Sequence, residues 1–240
     1  MIDASLSEKT DLYTKESLFK CNDACLCDGC SGDLVVSVSL LEIWALARRL
    51  HRPVLEVFDH YCRTIPFVEH DLGAVRVRFA LRKPCLFLAE AGGCTIYAAR
   101  PAVCALFPEF LSLRGDRDEY IKEMDLSAYP CIEQFADASG ARKDALTRLA
   151  SMHWEEIYAG EIYLFGRAGF TVDLREEVSR IRNGWSEEIV PFSLQTEALN
   201  RVMESCGWWV RIREKIGTLD AQEGVETLFS DMQIVKALSL

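Results

Sequence analysis

Ten cysteines stand out among the 240 residues of this chain. Four of them, Cys21, Cys25, Cys27 and Cys30, fall in the short segment CNDACLCDGCSGD. Core cysteines follow the period of a helix or strand and have apolar neighbours. These are flanked instead by Asn22, Asp23, Asp28, Gly29, Ser31 and Gly32. Glycine and small polar residues let a loop wrap an ion and aim backbone N–H groups at sulfur. A second set, Cys85, Cys94, Cys104 and Cys131, has a hinge residue near each member: Pro84, Gly92-Gly93, Pro101 and Pro130. Eight thiols are enough for two four-thiolate sites, and clustered reduced thiols are metal ligands. Thiolate-only sites suit zinc or an iron–sulfur cluster. Four-thiolate zinc uses closely spaced cysteine pairs, which Cys21/Cys25 and Cys27/Cys30 can supply. Three close cysteines plus a remote one suit a [4Fe–4S] cubane. A cavity shared by eight cysteines leans towards the bulkier cluster, and the spacing leaves zinc open.

The elements that must position these thiols are short. The segment at 21–33 reads as a turn-rich loop, after a polar lead-in. Ser39 with Glu42 three residues on forms a capping box for a helix LLEIWALARRL, with Arg48 and Arg49 in its last turn. Pro53 fits the start of a second helix, VLEVFDHYCRTI. VRVRFAL alternates like a strand with one wet face. Pro101 starts a helical turn that carries Cys104. FLSLRGDRDEYIKEM reads as a hairpin whose turn is Arg114-Gly115-Asp116. Beyond residue 140 the pattern becomes helical. ARKDALTRLASMHWEEIYAG is a helix ending at Gly160, DLREEVSRIRNG is capped by Asp173 with Glu176, and further helices cover 196–216 and about 225–238. The fold expected is α+β and mostly helical: a cysteine-rich metal-binding domain with short strands over 15–135, then a helical C-terminal region over 136–240.

The block KPCLFLAEAGGCTIYAARPAVCALFPE resembles the signature of the YkgJ family of cysteine-cluster proteins, a zinc- or iron-chelating domain. The resemblance is carried by Cys85 with Phe87-Leu88, Gly93-Cys94, Ile96-Tyr97, Arg100-Pro101, Cys104 and Phe107-Pro108, by Cys131 after Pro130, and by Glu42-Ile43 and Leu46-Ala47. It covers roughly residues 20–135. The family's first cluster runs C-x2-C-x2-C-C, whereas this chain has no adjacent cysteine pair. The family also includes flagellin lysine methylases, which are longer chains. No glycine-rich cofactor loop after a strand follows residue 136, so that activity is not carried over. The resemblance, with the charge of four thiolates round a dication, implies that Arg100 lies beside the sulfurs and offsets their net negative charge.

Other residues have plainer readings. Cys62 and Cys206 read as buried hydrophobes. His51, His60, His70 and His153 read as surface or cap residues. Glu155-Glu156 and Glu187-Glu188 read as solvated helix faces, and Trp208-Trp209 as core of the helical half. The formal charge of −10 argues against general nucleic-acid binding. No apolar run reaches the roughly 18 residues of a membrane span, and the first residues carry no signal-like pattern. The expectation is a cytoplasmic protein with no membrane and no nucleic-acid partner. It contains no Ser-His-Asp ordering, HExxH or P-loop. The expected function is metal binding through eight cysteines, in the service of modifying a protein or peptide. The alternatives are a structural zinc module that binds a protein, and a redox or metal sensor.

Overall fold

The computed structural model describes residues 28–32, 34–69, 74–123, 129, 131–134, 138–166, 170–171 and 192–238. In chain order its elements are α1 (Asp28–Ser31), β1 (Ser37–Val38), α2 (Leu40–Leu50), α3 (Val54–Tyr61), β2 (Cys62–Glu69), β3 (Ala74–Leu81), α4 (Ala102–Leu106), α5 (Arg117–Glu123) and α6 (Cys131–Gln134). There follow α7 (Gly140–Phe165), β4 (Phe170–Thr171), α8 (Phe192–Ser205), α9 (Trp208–Gly217) and α10 (Gln222–Leu238). Single 3-10 turns lie at Tyr97–Ala99, Glu109–Leu113 and Thr218–Asp220. The chain is mostly helical with a small sheet and a helical C-terminal region. Among the described residues, no helix is long and apolar enough to cross a membrane. The chain divides into two compact units: Met1–Val38 with Leu81–Glu155, and Ser39–Ala80 with Glu156–Leu240.

In the first unit, Leu81 N–H donates to Val36 O at 2.9 Å, which fixes the chain entering β1. Short helices then pack by small apolar faces. Ala102, Ala105 and Leu106 of α4 meet Ala138, Leu146 and Leu149. Leu111, Cys131 and Ile132 form a neighbouring cluster with Phe107, Phe110 and Tyr120 around them. A buried charge pair ties the 3-10 turn to α7. Glu109, only 2% exposed, accepts from Arg142 Nε at 2.9 Å and from its Nη2 as well. The hairpin expected over 110–124 is absent among the described residues. Leu111 is buried in a 3-10 turn, and α5 follows. The turn itself is present, because Arg114 Nε and Nη2 clamp Asp116 at 2.8 and 2.6 Å. The loop expected at 21–33 contains the helical turn α1 in its described part.

In the second unit the capping box forms as expected. Glu42 N–H donates to Ser39 Oγ, and Ser39 N–H donates to Glu42 Oε2. Ser39 Oγ also donates to Glu156 Oε2 at 2.7 Å, so Glu156 is buried, and its reading as a solvated face is wrong. The second helix stops at Tyr61, and Cys62 turns to extended backbone at φ −111°, ψ 157°. The run Thr64-Ile65-Pro66 explains this, since β-branched residues favour a strand and proline breaks a helix interior. Strand β3 pairs antiparallel with β4, with Ala74 opposite Thr171. Phe79 of β3 meets Phe58 edge-on at 5.2 Å.

Pro53 offers α3 no side-chain cap, and Asp220 supplies one by accepting from Val54 N–H at 2.8 Å. Helix α7 does not end at Gly160 but runs on to Phe165, with Gly160 packed on Leu40. The helix expected over 196–216 breaks at Gly207, which takes φ +69°. Gly224 admits no side chain, because a Cβ there would lie 2.2 Å from Thr218 O. Cys62 is buried as expected. Cys206 is exposed, because it occupies the turn between α8 and α9 and not a helix face. Trp208 is half-buried, with its ring 5.3 Å from that of Phe165. The helix expected from Asp173 and Glu176, together with Glu187 and Glu188, lies outside the described residues.

Removing one partner of a buried ion pair strands the other charge and costs about 3–5 kcal/mol. Arg142→Ala is therefore expected to lower the urea midpoint by that equivalent. The double replacement Glu109→Leu with Arg142→Leu should lower it by clearly less. Equal losses in the two proteins would show that the pair carries no charge penalty.

Candidate metal centre

The thiols of the second set are placed by local backbone geometry. After Cys85 the chain turns, with Leu88 N–H donating to Cys85 O at 3.0 Å. It then doubles back through Leu88 bridged to Cys94, and Thr95 N–H donates to Phe87 O at 2.9 Å. Gly92 and Gly93 make the reversal with φ of 91° and 78°, where a side chain would be strained. Cys94 is thereby returned to the neighbourhood of Cys85. The Ile96 backbone N–H hydrogen-bonds the Cys94 sulfur. A 3-10 turn leads to Arg100, and Pro101 then starts α4 as expected, with Cys104 in its first turn. The chain at Cys30 is drawn to the same place, because its carbonyl accepts from Cys85 N–H at 2.9 Å. Lys83 Nζ donates to the adjacent Gly29 carbonyl.

Cys30, Cys85, Cys94 and Cys104 line one cavity of about 510 Å³ within the first unit, and Arg100 lines it with them. Cys131 is buried against Leu111 and Ile132 and is not among the residues lining that cavity. Cys21, Cys25 and Cys27 lie outside the described residues, as does His70.

Residues 20–131 match the family model CxxCxxCC, whose description is "Putative zinc- or iron-chelating domain". Those residues, just under half of the chain, are similar to that CxxCxxCC domain. The span runs from just before Cys21 to Cys131 and so takes in every cysteine singled out as a ligand. The resemblance to the YkgJ family rests on this same domain. No curated protein and no solved structure matches the chain.

The electrostatics of this segment suit a soft cation. Burial pushes the Cys104 thiol up to about 12, and the neighbouring Cys85 and Cys94 add to the rise, against Arg100 and Lys83. Burial also raises Cys94, opposed by the Ile96 N–H, while Cys85 raises it further and Arg100 lowers it. These thiols are neutral unless a cation joins them. Arg100 is only 6% exposed, and its guanidinium lies 4.2 Å from the Tyr97 ring centroid. Among the described residues it has no hydrogen-bond acceptor and no acidic partner. A buried cation without an anion is costly. Thiolates round a metal dication would supply the missing negative charge, so the donor set fits zinc or iron held by sulfur.

Sequence reasoning missed His153, which is buried in this cavity and not on the surface. Its Nε2 lies 3.2 Å from Ser37 Oγ, a partner 116 residues away that no local pattern announces. His51 is a cap as expected, closing α2 at φ 54°, and His60 is exposed.

The reversal at Gly93 sets a testable cost. A side chain in the left-handed region costs about 1–2 kcal/mol. Gly93→Ala should destabilise the metal-loaded protein by that amount. Gly115→Ala, with nothing within 4 Å of the new Cβ and no positive φ, should be near neutral in the same denaturation experiment. Equal effects would mean that the hairpin does not depend on its glycines.

Proposed function

We propose that the segment similar to the CxxCxxCC domain holds zinc or iron through Cys21, Cys25, Cys27, Cys30, Cys85, Cys94, Cys104 and Cys131. The form favoured is an iron–sulfur cluster of the [4Fe–4S] type. One observation carries this reading. Arg100 is only 6% exposed, has no acidic partner among the described residues, and lines the same cavity as four thiols. A site shared by eight cysteines suits a bulky cluster better than a lone ion.

The protein's own groups have separable tasks in this reading. Cys85 and Cys94 are presented from the two arms of the hairpin, and Cys104 from the first turn of α4. The Ile96 N–H steadies the Cys94 sulfur, and Arg100 offsets the net negative charge of the thiolates. A bound cluster would supply electron transfer or Lewis acidity. The process served is the modification of a protein or peptide.

Protein purified without oxygen should absorb broadly near about 400 nm and carry four or more irons per chain. Colourless protein with about two zinc ions would replace this reading with two structural four-thiolate sites. Cys94→Ser and Cys104→Ser should each lower metal content, since a hydroxyl is a poor soft-metal ligand. Cys206→Ser should not, and equal loss there would overturn this partition of the cysteines.

Replacing Arg100 by Ala should weaken metal affinity about 10–100-fold in competition with a chelator. Unchanged affinity would show that the guanidinium does not sense the metal.

A further inference from the structure

The thiols gather in one part of their cavity, where Cys85 and Cys94 both act on Cys104. Even a cluster several times the size of a four-thiolate ion leaves most of the 510 Å³ unfilled, and small-molecule sites run from about 300 to 1,000 Å³. The remaining lining is mostly apolar, and Leu106, Phe110, Leu113 and Ala150 in it belong to one packed cluster. The mouth is apolar too. Val35, Tyr97 and Trp154 line the cavity and are nonetheless 49%, 36% and 45% exposed. An exposed large hydrophobic residue is unremarkable alone, but three around one opening mark a binding site.

The polar groups of the lining define the ligand by exclusion. Arg114 is held by Asp116. Ser37 Oγ lies beside His153 Nε2. Arg100 faces the thiols, where Cys94 and Cys104 both feel its charge. An anionic head would compete with the thiolates for that one guanidinium and would be repelled by their charge. A cationic head would meet Arg100 itself.

We propose that the apolar end of this cavity is a binding pocket for an uncharged, bulky apolar group, aromatic or branched aliphatic, presented beside the metal centre. This deepens the metal reading of the thiol end and rests on it. The group can belong to a free molecule or to a side chain of a peptide, and both present the same chemistry to the pocket.

The test uses the metal-loaded full chain and three probes sharing one ring: indole, indole-3-carboxylate and the blocked tripeptide acetyl-Gly-Trp-Gly-amide. Binding is read by calorimetry and by ligand-observed magnetic resonance. Indole or the tripeptide should bind at least tenfold more tightly than the carboxylate. The tighter of those two identifies the source, a free molecule or a side chain. Ala150→Phe, which fills the pocket, and Val35→Asp, which charges its mouth without touching the core, should each weaken binding at least tenfold and leave metal content unchanged. The proposal is overturned if the carboxylate binds as tightly as indole. It is equally overturned if both variants bind like the parent, or if neither uncharged probe binds at its solubility limit. Metal content, measured on every sample, separates the two readings. Metal-loaded protein that binds no probe sinks the pocket alone, and protein that binds indole but never carries metal sinks the metal centre alone.

Discussion

A guanidinium and several thiols share one desolvated space, and neither tolerates it alone. Arg100 needs a negative neighbour, and burial raises the Cys94 and Cys104 thiols against losing their protons. Much of the first unit can be read as a response to that constraint. The glycine reversal and the proline-started turn bring sulfurs from distant points of the chain to one wall. The Tyr97 ring gives the guanidinium a face to lie on. A neutral residue at 100 would remove the cost of a lone buried cation and, with it, the counter-charge for the thiolates.

The same unit contains a buried charge handled the opposite way. Glu109 and Arg142 neutralise each other with two hydrogen bonds in fork geometry. That pair is structural, joining the 3-10 turn to α7 around a core of small side chains. Two arginines in one small unit, Arg100 and the part-buried Arg142, thus have different physical standing. One is satisfied by its own chain, and the other is completed only by what the cavity holds.

Local features of this organisation are legible in the sequence. The Ser39–Glu42 box, the alternation of VRVRFAL, the helix start at Pro101 and the hinges beside the cysteines depend on neighbours a few residues away. What escapes is long-range. Glu156 looks like a surface carboxylate until Ser39 is brought to it. His153 looks unremarkable until Ser37 is, and α3 looks uncapped until Asp220 arrives. Cys206 is misread for a different reason. Its tryptophan neighbours suggest a core, but Gly207 turns the chain there and leaves the thiol outside. In the stretch around Arg114, the apolar alternation of FLSL imitates a strand, yet burying Leu111 in a tight helical turn serves the same end.

Neither compact unit is a continuous stretch of chain. The backbone passes from one to the other between Val38 and Ser39, again between Ala80 and Leu81, and a third time inside α7 between Glu155 and Glu156. No single cut can release either unit whole, and neither can be moved into another protein as a cassette. Each must close on itself across a loop that belongs to the other, which carries an entropic cost growing slowly with loop length. The segment 20–131 includes strands and helices of both units.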